Sequence, residues 1–345
     1  MSTLNSIPKI AITHGDINGI SYEIILKSLA DSRILELCTP VVYGSSKAAS
    51  YFRKSLNLND FNLNLIKSPE NASQKRPNLI NITENEIAIQ SGESTQMAGE
   101  MSLLSLKMAV EALKKNQYEA LVTAPINKKN IQTDSFKFAG HTDFLAQQWD
   151  VTNYMMMMVA DSLKLGLITT HVPINKVTES LTVEKVFNKI QMMDKSLTVD
   201  FAFNKPRIAV LAVNPHAGDH GIIGTADDEI MIPAINKAFD QGIAVFGPFP
   251  ADGFFGSGQF RKFDGVLAAY HDQGLIPFKL LSFEEGVNYT AGLPIVRTSP
   301  AHGTAYEIAG KDCASIHSFR NALYLACDIL KNRKQYKQLT SNPLK

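Results

Sequence analysis

Short apolar runs alternate along the chain with longer amphipathic stretches. Residues 7–13 read as a strand, and Gly15 and Gly19 punctuate a turn into a helix over 22–30. A short second strand falls at 40–43. Apolar residues recur at helical spacing over 97–115, and the apolar run 120–123 reads as a buried strand. Residues 154–160 and 165–170 flank Asp161-Ser162, which predicts a hairpin. Strands follow at 208–213 and 265–270, and helices at 182–198, 227–241 and 318–334. The segment 62–99 is polar and weakly patterned, and reads as irregular or as short hairpins. Strands alternating with helices predict βαβ units and a largely parallel sheet, so the fold class is α/β. The four methionines at 155–158 fall in a predicted strand and read as core packing rather than as a metal-binding tract.

Composition narrows the class. A length of 345 residues suggests about two domains. Lys plus Arg total 34 and Asp plus Glu 33, a net charge of +1. That balance gives no footprint for a nucleic-acid backbone and no polybasic membrane anchor. Cys38, Cys313 and Cys327 fit no CxxC spacing, which argues against a disulfide framework and a Cys-built zinc site. No apolar run approaches the roughly 18 residues of a transmembrane helix. Residues 1–9 carry no apolar signal segment. The expectation is a soluble cytoplasmic protein, either an enzyme or a ligand-binding protein.

Several predicted strands run into polar residues. The strand at 165–170 leads to His171, that at 208–213 to Asn214-Pro215-His216, and that at 265–270 to His271-Asp272. The run 120–123 leads to Asn127 and Lys128. Ligands of open α/β sheets bind beyond the carboxyl ends of the strands. Each histidine alone reads as a polar residue at a strand exit. Together, three imidazoles converging there would hold a metal and leave a position open. His14 also follows a strand, so the pattern over-predicts. The glycine-rich stretches 218–224 and 253–258 do not fit G-x-G-x-x-G, so the ordinary Rossmann fingerprint is absent. Lys279 and Arg297, cationic in apolar surroundings, suit a phosphate or carboxylate, or are ordinary surface charge.

Eight blocks in order carry a recognisable pattern: THGDINGIS (13–21), TAPINKKNI (123–131), AGHTDFLA (139–146), TTHVPI (169–174), NPHAGDHGIIG (214–224), GPFPADGFF (247–255), YHDQGLIPFK (270–279) and GVNYTAGLPIVRTSPAHGTAYEIAG (286–310). Over essentially its whole length the chain resembles the 4-hydroxythreonine-4-phosphate dehydrogenase family of pyridoxal phosphate biosynthesis. HGTAYEIAG also resembles the nucleotide loop of isocitrate and isopropylmalate dehydrogenases, which bind NAD(P) without G-x-G-x-x-G. The resemblance implies a two-lobed isocitrate/isopropylmalate dehydrogenase-like fold with a cleft between the lobes. One lobe, 1–135 plus 295–345, contributes nucleotide binding. The other, 136–294, carries the metal ligands and the dimer interface.

Site residues follow from the same resemblance. His171, His216 and His271 match the family's divalent-metal ligands, two from one subunit and one from the other, so the active site needs a homodimer. His141 and Thr142 fall at the substrate, with Lys279, Asn288 and Arg297 as further contacts and Asp252 as a weaker candidate. His302, Gly303, Thr304 and Ala305 would face the adenosine part of the cofactor. The implied reaction is oxidation of 4-phosphohydroxy-L-threonine by NAD or NADP. Its product, 2-amino-3-oxo-4-(phosphooxy)butanoate, decarboxylates to 3-amino-2-oxopropyl phosphate. A metal on three imidazoles would act as Lewis acid on the hydroxyl. Zinc suits three histidines best, with magnesium, cobalt or manganese as alternatives. Lys279, His141 and Asp252 can each take the alcohol proton, and the sequence does not choose among them. One block departs from the family's GD-P-x-G-I-G-P-E: Ile17, Ser21 and Tyr22 replace a proline, a glycine and a proline, which implies an altered loop near the cleft. The alternative substrate is 4-phospho-D-threonate or 4-phospho-D-erythronate, oxidised by the same chemistry.

Overall fold

The computed structural model describes residues 7–133, 136–138 and 140–341. Residues 1–6 of the stretch read for a signal segment, Ala139 of the AGHTDFLA block, and Asp134 and Ser135 at the expected lobe boundary lie outside the described residues, as do residues 342–345.

The strands are β1 Lys9–Thr13, β2 Thr39–Gly44, β3 Asn64–Ile66, β4 Asn78–Asn81, β5 Ala120–Thr123, β6 Met155–Ala160, β7 Leu163–Leu167, β8 Ile208–Leu211, β9 Val245–Phe249, β10 Gly265–Ala268, β11 Val287–Ala291 and β12 Val296–Pro300. The helices are α1 Ser21–Leu29, α2 Ile34–Leu37, α3 Ser46–Ser55, α4 Gln96–Lys114, α5 His141–Gln148, α6 Val183–Val199, α7 Ile232–Asp240, α8 Ala251–Gly256, α9 His271–Ser282 and α10 His317–Thr340. They form two units, Met1–Gln148 with Pro294–Leu330, and Trp149–Leu293 with Lys331–Lys345.

In the first unit the strands lie in the order β3-β4-β2-β1-β5-β12, with β3-β4, β4-β2, β2-β1, β1-β5 and β5-β12 all parallel. Ile10, Ile12, Val41, Val42, Leu121 and Val122 are fully buried, as parallel strands covered on both faces require. Thr13 pairs with Thr123, and Thr298 with Val122. The loops after β1, β5 and β12 therefore leave the same edge. The α4 N-terminus is fixed by Thr95, whose side chain accepts the Ala98 N–H.

The second unit runs β11-β6-β7-β10-β8-β9. The β6–β7 pair is the hairpin predicted across Asp161-Ser162, and β7, β10, β8 and β9 are parallel. Met155, Met157 and Met158 are buried in it, as core packing requires. His171, His271 and His216 follow β7, β10 and β8, and so leave a common edge.

Several elements differ from the sequence reading, β3, β4 and α9 among them. Residues 64–81 form no hairpin: β3 and β4 run parallel, Asn64 opposite Asn78. Their weak apolar pattern has a cause. Asn78 is fully buried and donates to the carbonyls of Pro40, Ser73 and Arg76, so an amide does the work of an apolar side chain. Residues 271–282 form a helix despite Gly274 and Pro277, because Gly274 brings α9 against the sheet, where a Cβ would lie 2.6 Å from Leu165 Cδ2. The unit boundaries also differ from 135/136. Residues 136–148 stay with the first unit, where Phe136, Phe138 and Phe144 pack as an aromatic cluster. From residue 331 the described end of the chain belongs to the second unit, where Arg333 pairs with Asp200 at 2.7 Å.

Candidate active site

The loop after β1 is locked by close approach. Gly15 has φ 65°, and a Cβ there would lie 2.3 Å from the Pro125 carbonyl oxygen. His14 is completely buried and stacks on Tyr22 with ring centroids 5.5 Å apart. Burial pushes its pKa down to about 4. It is a core imidazole, and the strand-end pattern over-predicts here. The departures from the family pattern are buried too. Ile17, Ser21 and Tyr22 are fully enclosed, and the Tyr22 ring stacks on Phe52. The Tyr22 hydroxyl accepts the Ser45 N–H at 2.8 Å. The altered block thus fills the core of the first unit rather than reshaping its surface.

On the same edge, three nitrogen-bearing side chains come together. His141 opens α5 and is buried, and its Nε2 has no hydrogen-bond partner. Its pKa is held well below the ordinary value, first by burial, then by the positive charges of Arg297 and Lys128. The imidazole is therefore neutral. Arg297, on β12, is only 2% exposed, and its Nη2 donates to Thr123 Oγ1 at 2.7 Å. Burial lowers its pKa to about 9. Lys128 lies against the turn before α5: a Cβ on Gly140 would be 3.6 Å from its Cε. A buried guanidinium and an exposed ammonium beside a neutral, buried imidazole are a combination that suits an anion. Thr142 follows in the first turn of α5, half-buried. Lys128 is missing from the residues assigned by resemblance, although its position after β5 was its signal.

The loop after β12 has the marks of a ligand loop. Gly303 has no need of glycine from the protein: its φ is not positive, and a Cβ would meet nothing within 4 Å. A bound molecule approaching the backbone is what such a glycine admits. The neighbouring His302 has a buried Nε2 without a partner, and its Nδ1 faces the Gly303 carbonyl oxygen at 3.0 Å. Residues 302–305 are those that the resemblance assigns to the dinucleotide.

In the second unit, His171 and His271 have ring centroids 6.1 Å apart. The chain segments leading to them are tied. Thr169 Oγ1 donates to the Ala269 carbonyl at 2.7 Å, and Gln273 bridges from the Ala269 N–H to the Ala212 carbonyl at the end of β8. His271 Nδ1 lies 2.7 Å from Asp272 Oδ1, which orients the ring and leaves Nε2 for a metal. His216 sits in a loop held by Asp227, whose carboxylate accepts the N–H groups of Val213 and Asn214. Among the described residues no group of three metal-ligating side chains gathers in one chain. The chain thus brings two of the three histidines together. This pair fits a divalent ion once a third donor is supplied. Asn288, on β11, has a buried Oδ1 without a partner. Lys279, on α9 with His271, and Asp252, at the start of α8, are exposed.

A family profile described as "Pyridoxal phosphate biosynthetic protein PdxA" matches residues 36–326. A Bacteroides thetaiotaomicron protein named 4-hydroxythreonine-4-phosphate dehydrogenase is 45% identical over 338 residues, 98% of this chain and 93% of that protein. An Oceanobacillus iheyensis protein provisionally named a D-threonate 4-phosphate dehydrogenase is 36% identical over 326 residues, 93% of this chain and 98% of that one. The crystal structure of 4-hydroxythreonine-4-phosphate dehydrogenase from Klebsiella pneumoniae superposes with a TM-score of 0.80 at 34% identity, covering 95% of this chain and 99% of the other.

Proposed function

Because the chain belongs to the family of the pyridoxal phosphate biosynthetic protein PdxA, we propose that it oxidises 4-phosphohydroxy-L-threonine to 2-amino-3-oxo-4-(phosphooxy)butanoate. The reaction uses NAD or NADP and a divalent metal, and the product decarboxylates to 3-amino-2-oxopropyl phosphate in pyridoxal 5'-phosphate biosynthesis. The working form is a cytoplasmic homodimer with shared active sites. One observation carries the reading. His141 Nε2, Asn288 Oδ1 and His302 Nε2 are all buried polar atoms without a protein partner. All three belong to residues that the resemblance assigns to substrate or dinucleotide. An unpaired buried polar atom costs about 1–3 kcal/mol, a cost that a bound ligand removes.

Arg297 and Lys128 bind the substrate's anionic groups and fix its orientation. His141 is neutral and dry, and is equipped to take the alcohol proton. Its low pKa arises partly from those two cations, so a bound anion that offsets their charge strengthens it as a base. Thr142, Lys279 and Asn288 are the further substrate contacts that the resemblance implies, and His302–Ala305 are those for the dinucleotide. His171, His216 and His271 would hold the metal, two from one subunit and one from the other. When bound, the metal supplies Lewis-acid polarisation of the hydroxyl, and the dinucleotide supplies the hydride acceptor. Zinc matches three imidazoles best, ahead of magnesium, cobalt and manganese. Exposed apolar side chains near both histidine sites support the shared arrangement. Ile276, Leu280 and Phe283 project from α9 and the residue just after it, and Ile222 follows His216 at 81% exposure.

The Oceanobacillus relative supports a second reading in which the acid carries a hydroxyl in place of the amino group. Reduced-nicotinamide formation from 4-phosphohydroxy-L-threonine tests the proposal. Turnover that disappears on chelation, returns with zinc, and is absent in His171→Ala together with its bound metal supports it. Turnover and metal content unaffected by His171→Ala refute the metal assignment.

A further inference from the structure

Asp16 stands outside both the substrate set and the dinucleotide set, yet it is completely buried and heavily used. Its Oδ1 accepts the Asn18 N–H at 2.9 Å. Its Oδ2 accepts the Tyr306 hydroxyl at 2.7 Å and the Asn130 amide at 2.8 Å. Asn127 Nδ2 donates to the same Tyr306 oxygen at 3.1 Å. One carboxylate therefore joins the loops that follow β1, β5 and β12.

A second tie lies close by. The Ile20 N–H donates to the Thr304 carbonyl at 3.0 Å. Gly19 makes this approach feasible, since a Cβ there would lie 2.6 Å from the Thr304 oxygen. Between the two ties, Ala305 is left-handed at φ 46°, ψ 54°. A residue with a Cβ keeps that conformation only where its surroundings impose it. A buried carboxylate held by three neutral donors is an expensive way to fill space. Its expense is accounted for by geometry: the carboxylate fixes the path of 302–306 relative to 127–130.

We infer that Asp16, acting through Tyr306, is a positioning residue that holds the dinucleotide loop 302–305 in register with the loop carrying Asn127 and Lys128. The inference rests on the reading of 302–305 as that loop, and it separates two jobs within the site. The residues of 302–305 touch the dinucleotide, and Asp16 and Tyr306 determine where they stand.

Tyr306→Phe keeps the ring and removes the hydroxyl. Titration calorimetry of the full-length protein with NAD and with NADP reads the effect. The preferred dinucleotide binds about tenfold more weakly, the size of one lost hydrogen bond to a charged group. Its KM rises in parallel, while kcat at saturation stays within about twofold and the melting temperature is little changed. Asp16→Asn weakens binding at least as much, and adding Tyr306→Phe to it causes little further loss, because both remove one interaction. Gly303→Val tests the underlying reading, since it adds bulk on the open side of the loop without straining the backbone. Weaker dinucleotide binding in Gly303→Val with an unchanged Kd in Tyr306→Phe overturns the positioning role alone. Unchanged binding in Gly303→Val overturns the loop reading, and the positioning role falls with it. A lowered melting temperature with kcat and both KM values worsened together marks Tyr306 as merely structural, and also overturns the inference.

Discussion

His14 and His141 are both buried imidazoles next to apolar strands, yet their surroundings give them different roles. His14 is sealed against Tyr22 in the core, whereas His141 faces the positive charges of Arg297 and Lys128. Type and spacing mark both histidines in the sequence. Only the charges brought near by folding tell them apart. Lys128 shows the same limit, since its partners Gly140 and His141 lie more than ten positions away along the chain. The His14 environment has a consequence for pH. Its pKa is about 4 in the folded chain against an ordinary 6.5, so the unfolded chain binds the proton more readily between these values. Stability therefore rises with pH across that window. It is undiminished above about 6.5 and falls by roughly 3 kcal/mol as pH drops toward 4. His14→Phe keeps a stacked ring and removes the titration. Urea unfolding at pH 7 and pH 4.5 should show a smaller acid loss in the variant than in the parent. An equal loss in both would assign acid sensitivity elsewhere.

Elements are legible where a single period governs them. The apolar spacing of 97–115 marks α4, and continuous apolar runs mark β1, β5, β8 and β10. The period fails where tertiary contacts replace local preference. Gly274 and Pro277 conceal α9, and the buried amide of Asn78 conceals the β3–β4 ladder. Gly99 shows the same override within α4. A Cβ there would lie 2.0 Å from the Asn130 carbonyl oxygen, so the helix needs a glycine to admit the loop after β5. Alanine is the better helix former by about 1 kcal/mol. Gly99→Ala should nevertheless destabilise the protein by about 1–3 kcal/mol, because backbone must move. A raised melting temperature in Gly99→Ala would show that the loop does not rest on α4 as described.

For the whole molecule, motif order makes the family legible, and family membership is what the comparisons establish. The unit boundaries were less legible, since the aromatic cluster that keeps 136–148 with the first unit and the Arg333–Asp200 pair both join distant positions. The proposed metal site is the part the single chain shows least: His171 and His271 have ring centroids 6.1 Å apart, and among the described residues no group of three ligating side chains gathers. The substrate remains the central claim. An amino group or a hydroxyl at the second carbon distinguishes the two phosphorylated acids, and in the proposed function Arg297, Lys128 and His141 meet the anionic groups they share. The most direct measurement offers zinc-loaded protein 4-phosphohydroxy-L-threonine and 4-phospho-D-threonate in parallel, each with NAD and NADP, and follows reduced-nicotinamide absorbance. The account predicts that kcat/KM for 4-phosphohydroxy-L-threonine exceeds that for the threonate at least tenfold, about 1.4 kcal/mol of transition-state discrimination. Turnover of 4-phospho-D-threonate alone would contradict it and assign the protein to sugar-acid oxidation.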